Sequence, residues 1–570
     1  MAAPKPQARA TAQSAWVEWF EQQPAMLLAV ATVLALLPYL GKPFHIDDPL
    51  FMWVAQHIQS HPLDPYGFNV NWYGFDQPLW DITKNPPFAC YYLALFGGAF
   101  GWSEKVLHAA LLLPAVAAVA GTHRLANHFC KRPLFAALCA LFTPVFLVSS
   151  TTIMCDVMML AFWVWAVVFW VEGTERKRPG FFAVAALFIS LAALTKYFGA
   201  CVIPLVAAWS IARKQPMKEW LGWLAIPIAA LVAYQMATRS LYGHGLLADA
   251  GKYAAAVHQP SIVSNLKLVL TALIFTGGCL AMITFFAPFL WARRELLIGA
   301  AASLAVAAIL FFTIRRTFQV QPGAGQIAQI LLWATGGISV LALTVADLYR
   351  RRDADSLLLA CWVLGTFVFT AFFNWSINGR SLLPMTIPAA ILVARRIELR
   401  AAAGTKFSTP VLFGPGLLGA FLAIWVTVAD YSFAVAPQTI ARVVHSAYGA
   451  DSHRLWFQGH WGFQYYLQKY GDTPLDLQHL QLTQGDYIAM PSANSNVYPL
   501  KERVAELKTF VVPVHGWLST MNGEAGAGFY ASAWGPLPFA FGRIPPQSVT
   551  VFAYDPSGEI EKAGANPKAP

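Results

Sequence analysis

Ala25–Asp48 reads AMLLAVATVLALLPYLGKPFHIDD. Ala25–Leu40 is apolar almost throughout and reads as a first membrane span. Two adjacent carboxylates, Asp47 and Asp48, follow a few residues later. Acids this close to the end of a span are held at the membrane face and not out in free solvent. They are either a solvated loop pair or groups kept at the interface for chemistry.

The residues that follow have interfacial character. Leu50, Phe51, Trp53, Val54 and Ile58 fall on one side of a helix that breaks at His61-Pro62, with Gln56, His57 and Gln59 on the other. Trp72, Tyr73 and Trp80 add rings of the kind that settle at headgroup level. His45 and His57 lie near the acids without a third ligand at metal spacing, so hydrogen bonding is the most they are expected to offer. Glu104 in GWSE is expected to cap the helix after it.

Composition assigns the class. Of 570 residues, 57% are hydrophobic and 12% charged, mean hydropathy is +0.50, and there are 21 Trp and 40 Phe. This is a polytopic α-helical membrane protein. Its formal charge of +10 comes from short clusters of Lys and Arg between apolar runs, the pattern of topogenic loops and not of nucleic-acid binding. None of the seven cysteines has ligand spacing, so neither a metal nor a cofactor nor a disulfide framework is expected. Residues 1–24 form an N-terminus without a signal-peptide pattern, and the first span is expected to be uncleaved.

Further apolar segments run Val106–Ala120, Leu134–Val148, Val157–Val171, Phe181–Leu194, Phe198–Ile211, Trp220–Ala237 and Leu266–Trp291. Leu296–Phe312, Ile327–Ala346, Leu357–Phe373, Leu382–Val393 and Val411–Val428 complete a set of about thirteen. Phe88–Gly101 is short and glycine-rich, and reads as a re-entrant or in-plane helix. With the N-terminus cytoplasmic, the inside loops carry Arg124, Lys131, Arg132, Arg176, Lys177, Arg178, Arg213, Lys214, Lys218, Arg293, Arg294, Arg350–Arg352, Arg395, Arg396 and Arg400. Loop 41–87 and the C-terminus then lie outside, and Arg315/Arg316 is the one pair that breaks the alternation.

Five pieces in order carry a resemblance: the acid pair after span one, KNPPFACYY (84–92) with GWSEKVLHAALLLPAVAAVAGTHRLANHF (101–129), TTIMCDVMML (151–160), LAALTKYFG (191–199) and NGRSLLPMTIPAAILVARR (378–396). Together they resemble the protein O-mannosyltransferase-like glycosyltransferases, whose bacterial relatives include the transferases that put aminoarabinose on lipid A. The chain departs from that pattern in having Asp47-Asp48-Pro49 where Asp-Glu is usual, and Asn85 between Lys84 and the proline.

The resemblance implies a GT-C fold over residues 25–430 and a sugar donor on a polyprenyl phosphate. It implies Asp47 as the catalytic base, with Asp48 as its possible substitute and Asp156 as a second acid. Attack by an acceptor hydroxyl needs a carboxylate within about 2.6–3.2 Å. The departing phosphate needs charge neutralisation, for which Lys84, Lys196 and Arg380 are the candidates. Each of these cations has an ordinary alternative as a snorkelling or headgroup-binding residue, and Asp156 as a helix cap.

The expected enzyme is an inverting transferase acting on a protein, lipid or glycan acceptor among membrane lipids, at the outer face of a bacterial inner membrane. Alternatives are a lipid-carrier flippase or exporter without transfer chemistry, and an O-antigen ligase or polymerase. From about Pro437 to Pro556 the pattern changes. RLWFQG (454–459), WGFQYYLQKYG (461–471), GDYIAMP (485–491), TFVVPVHG (509–516) and SVTVFAYDP (548–556) alternate strand-like and helix-like patterns, which reads as a small outer α/β domain. That domain carries no catalytic motif, so the membrane part is expected to supply the reaction alone. The tail 557–570 is expected to be disordered.

Overall fold

The computed structural model describes residues 23–257, 262–317, 323–405, 407–449 and 453–558. The expected N-terminus at 1–24 and tail at 557–570 fall almost wholly outside them, as do the side chains of Arg315 and Arg316. The chain is mostly helical, with its strands concentrated at the C-terminal end.

Among the described residues six helices are long and apolar enough to cross a membrane, or up to eight if each of two bent pairs is one span. This makes the chain a multi-pass membrane protein with fewer full-length spans than the apolar runs suggest. The expected span Leu134–Val148 is two helices, Pro133–Leu141 and Pro144–Ser150, bent by 62°. Pro144 cannot continue the hydrogen-bond ladder, and the Thr143 hydroxyl caps the second helix by accepting from the Phe146 N–H. The run Leu266–Trp291 breaks after Cys279 with a bend of 89°. Phe88–Phe100 is a helix of 13 residues, about 20 Å at 1.5 Å per residue, too short for a bilayer core. Val411–Val428 belongs to one helix, Thr409–Tyr448, which runs on past Pro437.

Small residues let the bundle close. A Cβ added at Gly277 would meet the Trp333 carbonyl oxygen at 1.8 Å, and one at Gly337 would meet that of Leu273 at 2.0 Å. Helices Ile262–Cys279 and Ala324–Arg351 therefore touch backbone to backbone, as helices do where lipid supplies no hydrophobic drive. Ion pairs tie different elements at the basic ends: Arg124 to Glu172, Arg213 to Asp355 and Arg395 to Asp347, while Arg176 pairs with Glu172 one turn back in its own helix.

Loop 41–87 folds into the helix Asp48–Ser60 and a hairpin pairing Asn69–Asn71 with Asp76–Pro78, turned at Gly74 with φ +90°. The C-terminal region has a five-stranded mixed sheet in the order Thr473–Pro474, Leu455–Phe457, Tyr487–Pro491, Gln547–Tyr554, Val504–Val512, with helix Trp461–Tyr470 packed beside it. It docks on loop 41–87: the Tyr466 hydroxyl receives the Phe44 N–H, Gln464 donates to the Asn71 carbonyl, and Asn71 donates to the Leu475 carbonyl. Ser103, and not Glu104, caps the helix Glu104–Phe129, because the Glu104 carboxylate is engaged by the Tyr466 hydroxyl at 2.9 Å.

Between the last two long strands, residues 513–546 leave the sheet and enter the end of the bundle. Gly379 N–H donates to the Phe529 carbonyl, Ser532 N–H to that of Ile377, and Thr520 Oγ1 to Asp430. Asp430 also holds Lys42 in an ion pair and accepts from the Tyr530 hydroxyl, with His45 beside both. Lys42 and Asp430 are completely buried. Asp430→Ala is expected to strand a buried ammonium at a cost of about 3–5 kcal/mol, read as a lowered unfolding temperature of the purified protein; an unchanged temperature would contradict this.

Candidate active site

Three local constructions bring the charged residues to one place. Ile46 has φ +49°, a left-handed conformation that a β-branched residue adopts only under strain of about 1–3 kcal/mol. The chain turns sharply there, and the two acids after it face opposite ways. Asn378 caps the short helix Gly379–Leu382 by accepting from the Ser381 N–H, and Gly379 leaves room for Phe529, whose ring a Cβ would meet at 2.5 Å. Arg380 projects from this seat. Lys196 stands where helix Pro179–Thr195 ends, in a turn kept tight by Gly199, whose Cβ would lie 2.3 Å from the Ala192 carbonyl carbon.

The result is a chain of alternating charges. Asp47 Oδ2 lies 3.2 Å from Arg380 Nη2, Arg380 Nη1 lies 3.7 Å from Asp156 Oδ2, and Asp156 Oδ1 accepts from Lys196 Nζ at 2.6 Å. Asp156 opens the helix Asp156–Arg176, so the helix dipole adds to the two cations in favouring its carboxylate. Arg380 also stacks on the Tyr530 ring at 5.6 Å and touches Met154 Sδ. Exposure falls from 34% at Asp47 through 18% at Lys196 and 10% at Arg380 to 1% at Asp156. Asp47 is thus the acid that meets solvent, and Asp156 is the buried anchor behind the arginine.

Asp47, Arg380 and Lys84 line one cavity of about 380 Å³; Asp156 and Lys196 stand behind its wall. Lys84 Nζ donates to the Asp81 carbonyl at 2.9 Å and lies 5.8 Å over the Tyr253 ring. Burial lowers its pKa from the ordinary lysine value, opposed by Asp81 and Asp249. The charged side chains lining the cavity are two cations and one carboxylate, which leaves it formally positive.

Asp48 stands apart from the cavity. It is fully buried, accepts from the Ile153 and His45 N–H groups, and lies 3.3 Å from the His45 ring, so it clamps the turn and does not reach the cavity. The cavity is also not the work of the membrane part alone, since His460, Trp461, Tyr530 and Trp534 of the C-terminal region line it. Burial pushes the His460 imidazole down to about 3, so it is neutral at physiological pH and adds no charge. It stacks on Trp72 at 4.4 Å.

Sequence reasoning passed over Lys42, Asp430 and Tyr530. Asp430 had a signal, as the lone carboxylate in an otherwise apolar helix. Tyr530 had only a weak one: GFYASAWGPLPFAFG (528–542) is aromatic and glycine-rich without strand alternation, which suits a packed excursion.

Residues 84–237, well under half of the chain, match the family described as dolichyl-phosphate-mannose-protein mannosyltransferase. Lys84, Asp156 and Lys196 lie in this segment; Asp47 and Arg380 lie outside it. The match agrees with the resemblance read from the KNPPFACYY, TTIMCDVMML and LAALTKYFG pieces and supports a GT-C assignment. No curated protein matches the sequence.

Among solved structures the chain is similar to the archaeal oligosaccharyltransferase AglB from Archaeoglobus fulgidus, in complex with an inhibitory peptide and a dolichol-phosphate. The identity is 14% and the TM-score 0.48, over 80% of this chain and 65% of that one. It is also similar to ArnT from Cupriavidus metallidurans bound to undecaprenyl phosphate (14%, TM-score 0.39, 84% and 93%) and to the mycobacterial arabinofuranosyltransferase AftD (12%, TM-score 0.36, 93% and 41%). This chain spans less than two thirds of the archaeal enzyme's length.

Proposed function

We propose, starting from the family segment and the charged cavity, that this protein is a glycosyltransferase that moves a sugar from a polyprenyl-phosphate carrier to an acceptor. The observation that carries this is the placing of a half-exposed carboxylate, Asp47, beside Arg380 and Lys84 in one cavity. In the reaction the acceptor hydroxyl oxygen attacks the anomeric carbon and gives its proton to Asp47, whose Oδ1 has no partner among the described residues. The bond from that carbon to the phosphate oxygen breaks on the opposite side, which inverts the centre, and polyprenyl phosphate leaves with the bonding pair.

Arg380 and Lys84 hold the phosphate and its growing charge. Asp156 and Lys196 keep Arg380 in place, so Lys196 contributes through the arginine at least as much as by direct contact. Asp47 is the base and Asp48 a structural clamp. We place the reaction at the outer face of a bacterial inner membrane, with the C-terminal region periplasmic, because that orientation puts the basic loops inside.

The test is incubation of the purified protein with a labelled polyprenyl-phosphate sugar and an envelope extract as acceptor source. Release of polyprenyl phosphate with labelled product is expected. Movement of the intact donor between leaflets without release would make the protein a carrier, and a requirement for a pyrophosphate-linked donor would make it a ligase or polymerase.

A further inference from the structure

Helix Asp48–Ser60 has a cavity on each side. Leu50, Phe51 and Val54 face the one with Asp47, while Trp53, Gln56 and His57 open into a second hollow of about 680 Å³. Its far walls are the Asn69–Asn71 hairpin and helix Trp461–Tyr470. Trp53 meets Trp72 edge-on at 6.2 Å, and because Trp72 lines the first cavity, this pair of rings is the partition.

The chemistry of the two sides differs. Trp53, Phe68 and Tyr465 line the second hollow with aromatic rings. Gln56 and Gln468 are exposed at its rim and bond to no other described side chain, and His57 Nε2 is buried without a hydrogen-bond partner. Asp76 and Asp476 outnumber the single Lys469, which lies 6.0 Å over the Tyr465 ring. Asp76 accepts from Asn69 Nδ2 through one oxygen, and Asp476 accepts the Gln478 and His479 N–H groups, so both carboxylates are held in place.

A lipid phosphate, welcome in the first cavity, is repelled by this one. Rings with an apolar face beside open amides, a buried imidazole nitrogen without a partner and oriented carboxylates suit a ligand with C–H faces and many hydroxyls but no negative charge. We infer that the hollow between helices Asp48–Ser60 and Trp461–Tyr470 is a binding site for an uncharged carbohydrate chain, separate from the donor cavity.

The test uses the full-length protein in lipid nanodiscs, because the head of a sugar detergent would compete. Neutral linear malto-, manno- and chito-oligosaccharides of three to six units are titrated by tryptophan fluorescence and by saturation-transfer NMR. At least one series is expected to bind saturably. The double variant Gln56→Ala/Gln468→Ala, checked for an unchanged unfolding temperature, is expected to weaken that binding about tenfold or more, about 1.4 kcal/mol, and Trp53→Ala to weaken it at least as much. Lys84→Ala is expected to leave it unchanged.

Absence of binding by every member, or binding that survives both groove variants, or competition by inorganic phosphate, overturns the inference. Binding is read without turnover, so a failure of the proposed transfer reaction would leave this result standing, and the reverse also holds.

Discussion

Replacing Asp47 by Asn is expected to lower the rate of polyprenyl-phosphate release by about 10²–10⁴-fold, the usual worth of a positioned general base. The substitution keeps shape and still lets an amide oxygen face Arg380, so the fold should survive; Arg380 also keeps Asp156. Asp48→Asn separates the neighbours. Asp48 receives two backbone N–H groups in a fully buried position, so its loss should lower the unfolding temperature and the yield of folded protein. An Asp47→Asn protein with activity within threefold of the parent would remove Asp47 from the reaction, and an Asp48→Asn protein that is stable but inactive would exchange the two roles.

Loss of Arg380 is expected to be the second large effect, and to appear in donor affinity. Hydrogen bonds to a charged group are worth about 1.5–3 kcal/mol, so Arg380→Gln should raise the Kd for the polyprenyl-phosphate donor roughly 10- to 150-fold. Arg380→Lys should recover only part of this, since an ammonium cannot bridge Asp47 and Asp156 while also offering a planar fork to phosphate. Lys196→Ala should weaken the donor less, through a slackened arginine. Equal donor affinity in the Arg380→Gln protein, measured by equilibrium binding, would refute phosphate recognition at this position.

The charged residues were legible in sequence because charge near apolar segments is costly and therefore informative. Asp47, Asp156, Lys196 and Arg380 lie far apart in the chain, yet ion pairs link them in a single row. What sequence does not carry is direction. Asp47 and Asp48 are the same residue type one position apart, and their different fates depend on the positive φ of Ile46, which an isoleucine gives no reason to expect. The spans were legible as apolar runs but not as straight helices, because a run such as Leu134–Val148 contains its own break at Pro144.

The mixed character of the C-terminal segments was legible, and the structure places strands at Leu455–Phe457, Tyr487–Pro491, Val504–Val512 and Gln547–Tyr554 and a helix at Trp461–Tyr470. Residues 513–546 follow neither period, since their strands are pairings of two residues each, too short to show alternation, and rings such as Phe539 and Phe541 pack on Trp333 and Trp425 of the membrane helices. Tyr530 was therefore out of reach of periodicity, and with it the contribution of the C-terminal region to the cavity.

The insertion of Tyr530 also sets an order of assembly. Its hydroxyl meets His45 across 485 residues of chain, which at about 5–20 residues per second of synthesis is a delay of roughly 25–100 s. By the end of that interval Asp47, Asp156, Lys196 and Arg380 have all been made, while until then Asp430 lacks its Tyr530 and Thr520 donors and the cavity lacks a wall. A ribosome stalled before this point leaves a bundle with every charged candidate present and no closed chamber around them. Maturation of the site is thus a late event in biogenesis, timed by the arrival of the last aromatic segment and not by insertion of the spans.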